Sequence, residues 1–108
     1  MSLEQNVLSH QHVADKYKEV LAAYSMTVRD QVIRCDSTAG AFDLTLPNVS
    51  EAKGRFYAIT FRTVTATAVT LKDNGDSEGW SDFTLDTDDD NVLCYSDGLK
   101  WYVLADIA

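Results

Sequence analysis

The stretch "NVLCYSDGLKWYVLA" (91–105) reads as two short apolar runs joined by the turn-forming residues Asp97 and Gly98. Two runs of four to eight residues around such a turn predict a β-hairpin. In the second run Trp101 and Val103 fall on one face, and Tyr102 and Leu104 on the other. A strand with one face in water should alternate apolar and polar residues. This one is apolar on both faces, so something other than solvent is expected over the second.

Upstream, the same period of two recurs. "AFDLTL" (41–46) alternates, with Phe42, Leu44 and Leu46 inward and Asp43 and Thr45 outward, and Pro47 ends it. "TVRDQVIRC" (27–35), "RFYAITFR" (55–62), "AVTLK" (68–72) and "DFTLD" (82–86) read as further strands. "DSTAG" (36–40), "DNGDSEGWS" (73–81) and "TDDD" (87–90) read as turns or loops. "NVSEAKG" (48–54) predicts one helical turn, capped by Ser50 and closed by Gly54. About seven strands at this spacing predict a mainly β domain over 27–108. The expected architecture is an antiparallel β-sandwich or a jelly-roll-like barrel.

Before residue 26 the pattern is helical. Val13, Tyr17, Val20, Leu21 and Tyr24 fall at i, i+4, i+7, i+8 and i+11, one stripe of a helix. A helix over about 10–24 is expected, with residues 1–26 forming an N-terminal arm. Its stripe is a candidate contact with a subunit or a larger partner.

In "RFYAITFR", Phe56 and Ala58 share one face, and Tyr57, Ile59 and Phe61 the other. One face of this strand and one of the last must line the core. The chain's own helix or a second copy must meet the others. The helix has an apolar stripe of its own to shelter, which favours a second copy. Tyr57, Ile59, Phe61, Tyr102 and Leu104 are therefore the candidate subunit interface. Each large apolar side chain buried there gains about 1.5–3 kcal/mol.

Composition narrows the function. The chain has 108 residues, enough for one domain, and 45 % hydrophobic content, ordinary for a soluble protein. No run approaches the roughly 20 apolar residues of a membrane span, and the N-terminus lacks the basic start and apolar stretch of a signal peptide. Synthesis in a cytoplasm is expected. Net charge is −8, distributed as −1 over residues 1–26, +2 over 27–72 and −9 over 73–108. That balance argues against nucleic acid and anionic membranes as partners.

Cys35 and Cys94 are not in a CxxC pair, so no zinc site is expected, and buried free thiols are favoured over a disulfide. The acids of 73–90 read as a solvated rim, with a Ca²⁺ site as the alternative. The spacing of an EF-hand loop is absent. His10 and His12, two apart, are expected at the surface. No Ser–His–Asp order, phosphate-cradling loop or metalloprotease motif is present, so neither an enzyme nor a cofactor is expected. Trp80, in a polar loop between glycines, is a weak candidate for stacking on a sugar.

"VIRCDSTAGAFDLTLPNVSEAKGRFYAITFR" (32–62), "AVTLKDNGD" (68–76) and "LCYSDGLKWYVL" (93–104) together resemble a β-domain common in bacteriophage virion proteins. The shared features are the small-residue turn, the "TLP" strand exit, the "AKG" turn, the aromatic strand and the "SDG–WYVL" hairpin. They are turn and core residues, and speak for fold more than for task. The resemblance implies a homotrimeric virion component. In a chain this short it implies a capsid decoration, or cement, protein bound to the major capsid protein at the shell surface. The alternative is a tail-fibre or receptor-binding module recognising host glycans through Trp80 or Tyr95.

Overall fold

A computed structural model describes residues 16–63, 67–86 and 90–107, with side chains as far as Leu104. The strands are β1 (Tyr17–Val20), β2 (Tyr24–Ser25), β3 (Val32–Asp36), β4 (Phe42–Thr45), β5 (Phe56–Arg62), β6 (Val69–Lys72), β7 (Phe83–Leu85), β8 (Asn91–Ser96) and β9 (Trp101–Ile107). They form a five-stranded sheet, β1-β3-β5-β8-β9, and a four-stranded sheet, β2-β4-β6-β7. One apolar cluster draws Ile33, Cys35, Tyr57, Ile59, Phe61, Val92, Cys94 and Trp101 from the first sheet. It draws Leu44, Val69, Leu71 and Leu85 from the second.

The mainly β reading holds, but the sheets are mixed rather than antiparallel. β1, β3 and β5 run parallel to one another, as do β2, β4 and β6. Only β7, β8 and β9 add antiparallel pairs. Through β6 the chain alternates between sheets, so each consecutive pair of strands adds one strand to both. A parallel neighbour normally requires a long crossover, usually helical. Here the crossover is the strand in the opposite sheet, and the first six strands make three turns of a flattened coil.

This route collects the connections at two poles. The links after β1, β3 and β5 share one pole, where Ser37 Oγ donates to Thr67 O at 2.6 Å and Thr67 Oγ1 donates back to Ser37 O. The opposite pole gathers 26–31, 46–55, 73–82 and 97–100. There Val49 N donates to Asp76 Oδ2 (3.1 Å), Glu78 N to Leu99 O (3.0 Å) and Ser96 Oγ to Val49 O (2.5 Å).

The N-terminal helix is replaced over 17–25 by β1 and β2; residues 10–15, including Val13, lie outside the described residues. The predicted stripe scatters accordingly. Val20 is buried and Tyr17 is exposed on β1, Leu21 is exposed in the bend, and Tyr24 on β2 is half-buried. Main-chain pairing to β3, together with the cross-strand Arg34–Glu19 ion pair at 3.5 Å, overrides a helical period resting on few residues. The expected division at residue 26 is likewise not seen among the described residues. Met26 is buried and donates its N–H to Thr45 O at 2.8 Å, inside the shared core.

The segment 48–54 is a turn and not a helix. Asn48, rather than Ser50, supplies the cap, its Oδ1 accepting from the N–H groups of Ser50 (3.0 Å) and Glu51 (3.1 Å). Gly54, at φ 78°, occupies the left-handed region expected of it.

Candidate interaction surface

The outer face of the five-stranded sheet follows from strand parity. On β5, Tyr57, Ile59 and Phe61 are buried, while Phe56, Ala58, Thr60 and Arg62 face outward. Tyr57, Ile59 and Phe61 were expected at a subunit interface; they are core residues, closed off by the second sheet. The outward set carries Thr60 and Arg62, the polar pair that identifies the wet face. Tyr102 and Leu104 do lie outside the core: Tyr102 is half-buried and Leu104 is 53 % exposed.

Register brings three rings into line. Phe56 is opposite Tyr95, and Tyr95 is opposite Tyr102. Phe56 and Tyr95 stack with centroids 5.4 Å apart, and Tyr95 and Tyr102 at 5.1 Å. Lys100 Nζ stands 5.0 Å from the Tyr102 centroid. Trp101 turns inward, edge-on to Tyr57 at 5.5 Å. Beside the ladder, Leu93 is exposed, and Phe56 is itself 51 % exposed. The register slips between Leu93 and Cys94, so Leu104 has no opposite number on β8.

The hairpin turn holds the ladder in place. Asp97 Oδ1 accepts from Leu99 N and Lys100 N, both at 2.9 Å, and its Oδ2 accepts from the Tyr102 hydroxyl at 3.0 Å. The two backbone donors, with help from Tyr102, lower the Asp97 carboxyl below its ordinary range. The same Asp97 bond raises the Tyr102 phenol. Gly98, at φ 97°, gives the turn the left-handed step its sequence predicts.

Sugar recognition through these aromatics fits poorly. A pyranose stacks on an open ring face, yet both faces of Tyr95 are taken by neighbouring rings, and Lys100 covers one face of Tyr102. Trp80 is half-buried and packed against the core, its Nε1 donating to Asp82 Oδ1 at 3.2 Å. It tucks over the end of the sandwich instead of lining a groove.

Among the described residues, no group of three His, Cys, Asp or Glu side chains is placed to hold a metal ion. His10 and His12 lie outside those residues. Cys35 and Cys94 are free and buried. Both face inward from one sheet, but β5 separates their strands, and they stand opposite Phe61 and Tyr57 respectively. Four residues of strand is about 13 Å, well beyond the roughly 7 Å limit for a disulfide. Burial pushes each thiol up to about 12.

A concavity of about 610 Å³ at the pole of the β1, β3 and β5 links is lined largely by alanines 22, 23, 39, 41 and 68. Its one ionisable lining residue, Asp43, pairs with Lys72 at 3.3 Å. No protein-family model matches this chain, and no curated protein matches it.

Proposed function

We propose that this protein is a non-enzymatic structural subunit of a bacteriophage particle. In this reading it decorates the outer shell as a homotrimer, binds the major capsid protein and strengthens the shell. The observation that carries the proposal is the outer face of the five-stranded sheet, where Phe56 and Leu93 flank a fixed aromatic ladder, with Leu104 exposed at the adjoining bulge of β9. An exposed apolar patch of this kind marks an interaction surface, and ring pairs that already stack against each other offer it at little cost in side-chain entropy. The sequence resemblance suggests the setting, a virion.

Two measurements test the reading. Sedimentation equilibrium of the purified chain should give a trimer that Phe56→Asp together with Leu104→Asp converts to folded monomer. Antibody labelling of the phage particles that carry the gene should place many copies across the shell. A chain that stays monomeric at high concentration and is absent from those particles would overturn the proposal; labelling confined to tail tips would favour the receptor-binding alternative.

A further inference from the structure

We infer that a basic cleft at the pole opposite the alanine-lined concavity receives the acidic β6–β7 loop of a second copy, so that copies join head to tail. This inference rests on the self-assembly reading above and adds the contact that sets its direction. The cleft, about 260 Å³, opens where β1, β3 and β5 begin, and Lys16, Arg29, Gln31, Arg55 and Phe56 line it. Arg55 Nη1 donates to Val28 O at 3.3 Å, and the Tyr57 hydroxyl donates to the same carbonyl at 3.1 Å, which fixes the guanidinium at the rim. Among the described residues the one acid in the lining, Asp30, is buried, and its Oδ2 accepts from the Tyr24 hydroxyl (2.7 Å) and Thr27 N (2.9 Å).

Among the described residues the ion pairs are Arg34–Glu19 and Lys72–Asp43, so Lys16, Arg29 and Arg55 converge beside a single acid, Asp30, and none of the three is ion-paired. In a chain of net charge −8, such a convergence is a place for an anionic partner.

The chain carries a suitable anion. The β6–β7 loop, 73–82, presents Glu78 and Asp82 at the surface. It is held in shape by Ser77 N on Asp73 Oδ2 (2.9 Å), by Glu78 N on Leu99 O (3.0 Å) and by Trp101 N on Ser77 Oγ (3.0 Å). Those contacts set the loop on the β9 side of the molecule, whereas the cleft lies on the β1–β3–β5 side.

Both features belong to the same pole. A contact from the cleft of one copy to the loop of the next can therefore be made without displacement along the strand direction. That is the condition under which a heterologous interface closes into a ring instead of climbing into a filament. Phe56 forms one wall of the cleft and one end of the aromatic ladder, so the charged and apolar contacts are continuous.

The test uses sedimentation of the full chain at low and high salt, with three variants: Lys16→Glu/Arg29→Glu, Glu78→Lys/Asp82→Lys, and the four changes combined. Thermal melts confirm that each folds. The expected result is that each reversal alone weakens self-association at least about tenfold, that high salt does the same to the wild type, and that the combined variant recovers. Wild-type assembly indifferent to salt and to both reversals overturns the latch while leaving self-assembly standing. A wild type that never assembles overturns both. If only the cleft reversal matters, and inorganic phosphate or citrate binds the wild-type cleft in a titration, the occupant is a free oxyanion and the head-to-tail contact is wrong.

Discussion

Replacing Ile59 with alanine separates a core residue from an interface residue. Ile59 is fully buried, with Ile33 opposite it on β3 and Val92 opposite it on β8, both inward-facing and buried. The substitution deletes one methylene and two methyl groups. At about 0.8 kcal/mol per buried carbon, the transfer loss is roughly 2.4 kcal/mol. The hole is bounded by main chain on two paired strands and cannot close fully. A residual void of about 50 Å³ at about 24 cal/mol per Å³ adds roughly 1 kcal/mol. The expected cost is therefore about 3–4 kcal/mol, a large share of the roughly 5–15 kcal/mol that stabilises a typical domain.

Urea unfolding followed by circular dichroism measures it, at two well-separated protein concentrations and for two-state transitions. The loss should be the same at both concentrations, because it belongs to the subunit. Leu104→Ala, at an exposed position, should change the dilute transition by no more than about 0.5 kcal/mol. If Ile59→Ala leaves the dilute transition unmoved and instead weakens self-association, the face assignment of β5 is refuted.

Tyr95 stacks on two rings and Phe56 on one, so Tyr95→Ala should cost about 1–3 kcal/mol of pair energy against about 0.5–1.5 for Phe56→Ala, read from the same urea midpoints. Cys35 and Cys94 should not react with a disulfide reagent at mildly alkaline pH until denaturant is added. Their folded values near 12 exceed the ordinary thiol value, so the unfolded chain loses these protons first; stability should fall between about pH 9 and 12, by up to about 1.4 kcal/mol per pH unit for each thiol. Asp97→Ala should lower the melting temperature at neutral pH by removing the acceptor of the turn. Because the folded carboxyl is depressed, its contribution is present above the ordinary carboxylate range and lost as pH falls through the folded value, so wild type and variant should converge in acid.

The sequence made β3 through β9 legible and hid β1 and β2. Strands over 56–62, 69–72, 83–85 and 91–96 announce themselves through period-two patterns bounded by Gly, Pro and Asp, and the β8–β9 turn through Asp97 and Gly98. β1 and β2 do not, because four and two residues are too few to establish a period against a helical spacing that happens to coincide. Parallel pairing is illegible for another reason. A hairpin partner is written in the intervening turn, whereas a coil partner is fixed only by how the opposite sheet returns the chain. The faces of β5 were separable, since Thr60 and Arg62 share the parity of Phe56. Weighing aromatics alone, without those two polar residues, points to the wrong one.

How the stacked sheets end bears on how copies can meet. A sheet edge left flat invites another strand, and proteins blunt such edges with short strands, charge or bulges. Each device is present here. β1 is short and carries Lys18 and Glu19, the latter paired to Arg34; β2 has two residues; β9 is broken from its register opposite Leu93 and Cys94. Strand addition from copy to copy is thereby opposed at both ends of the five-stranded sheet. What is left for association is side-chain chemistry on the outer face and at the pole that holds the basic cleft. Contacts of that kind, unlike backbone addition, can be tuned in strength by salt and can stop at a closed number of copies.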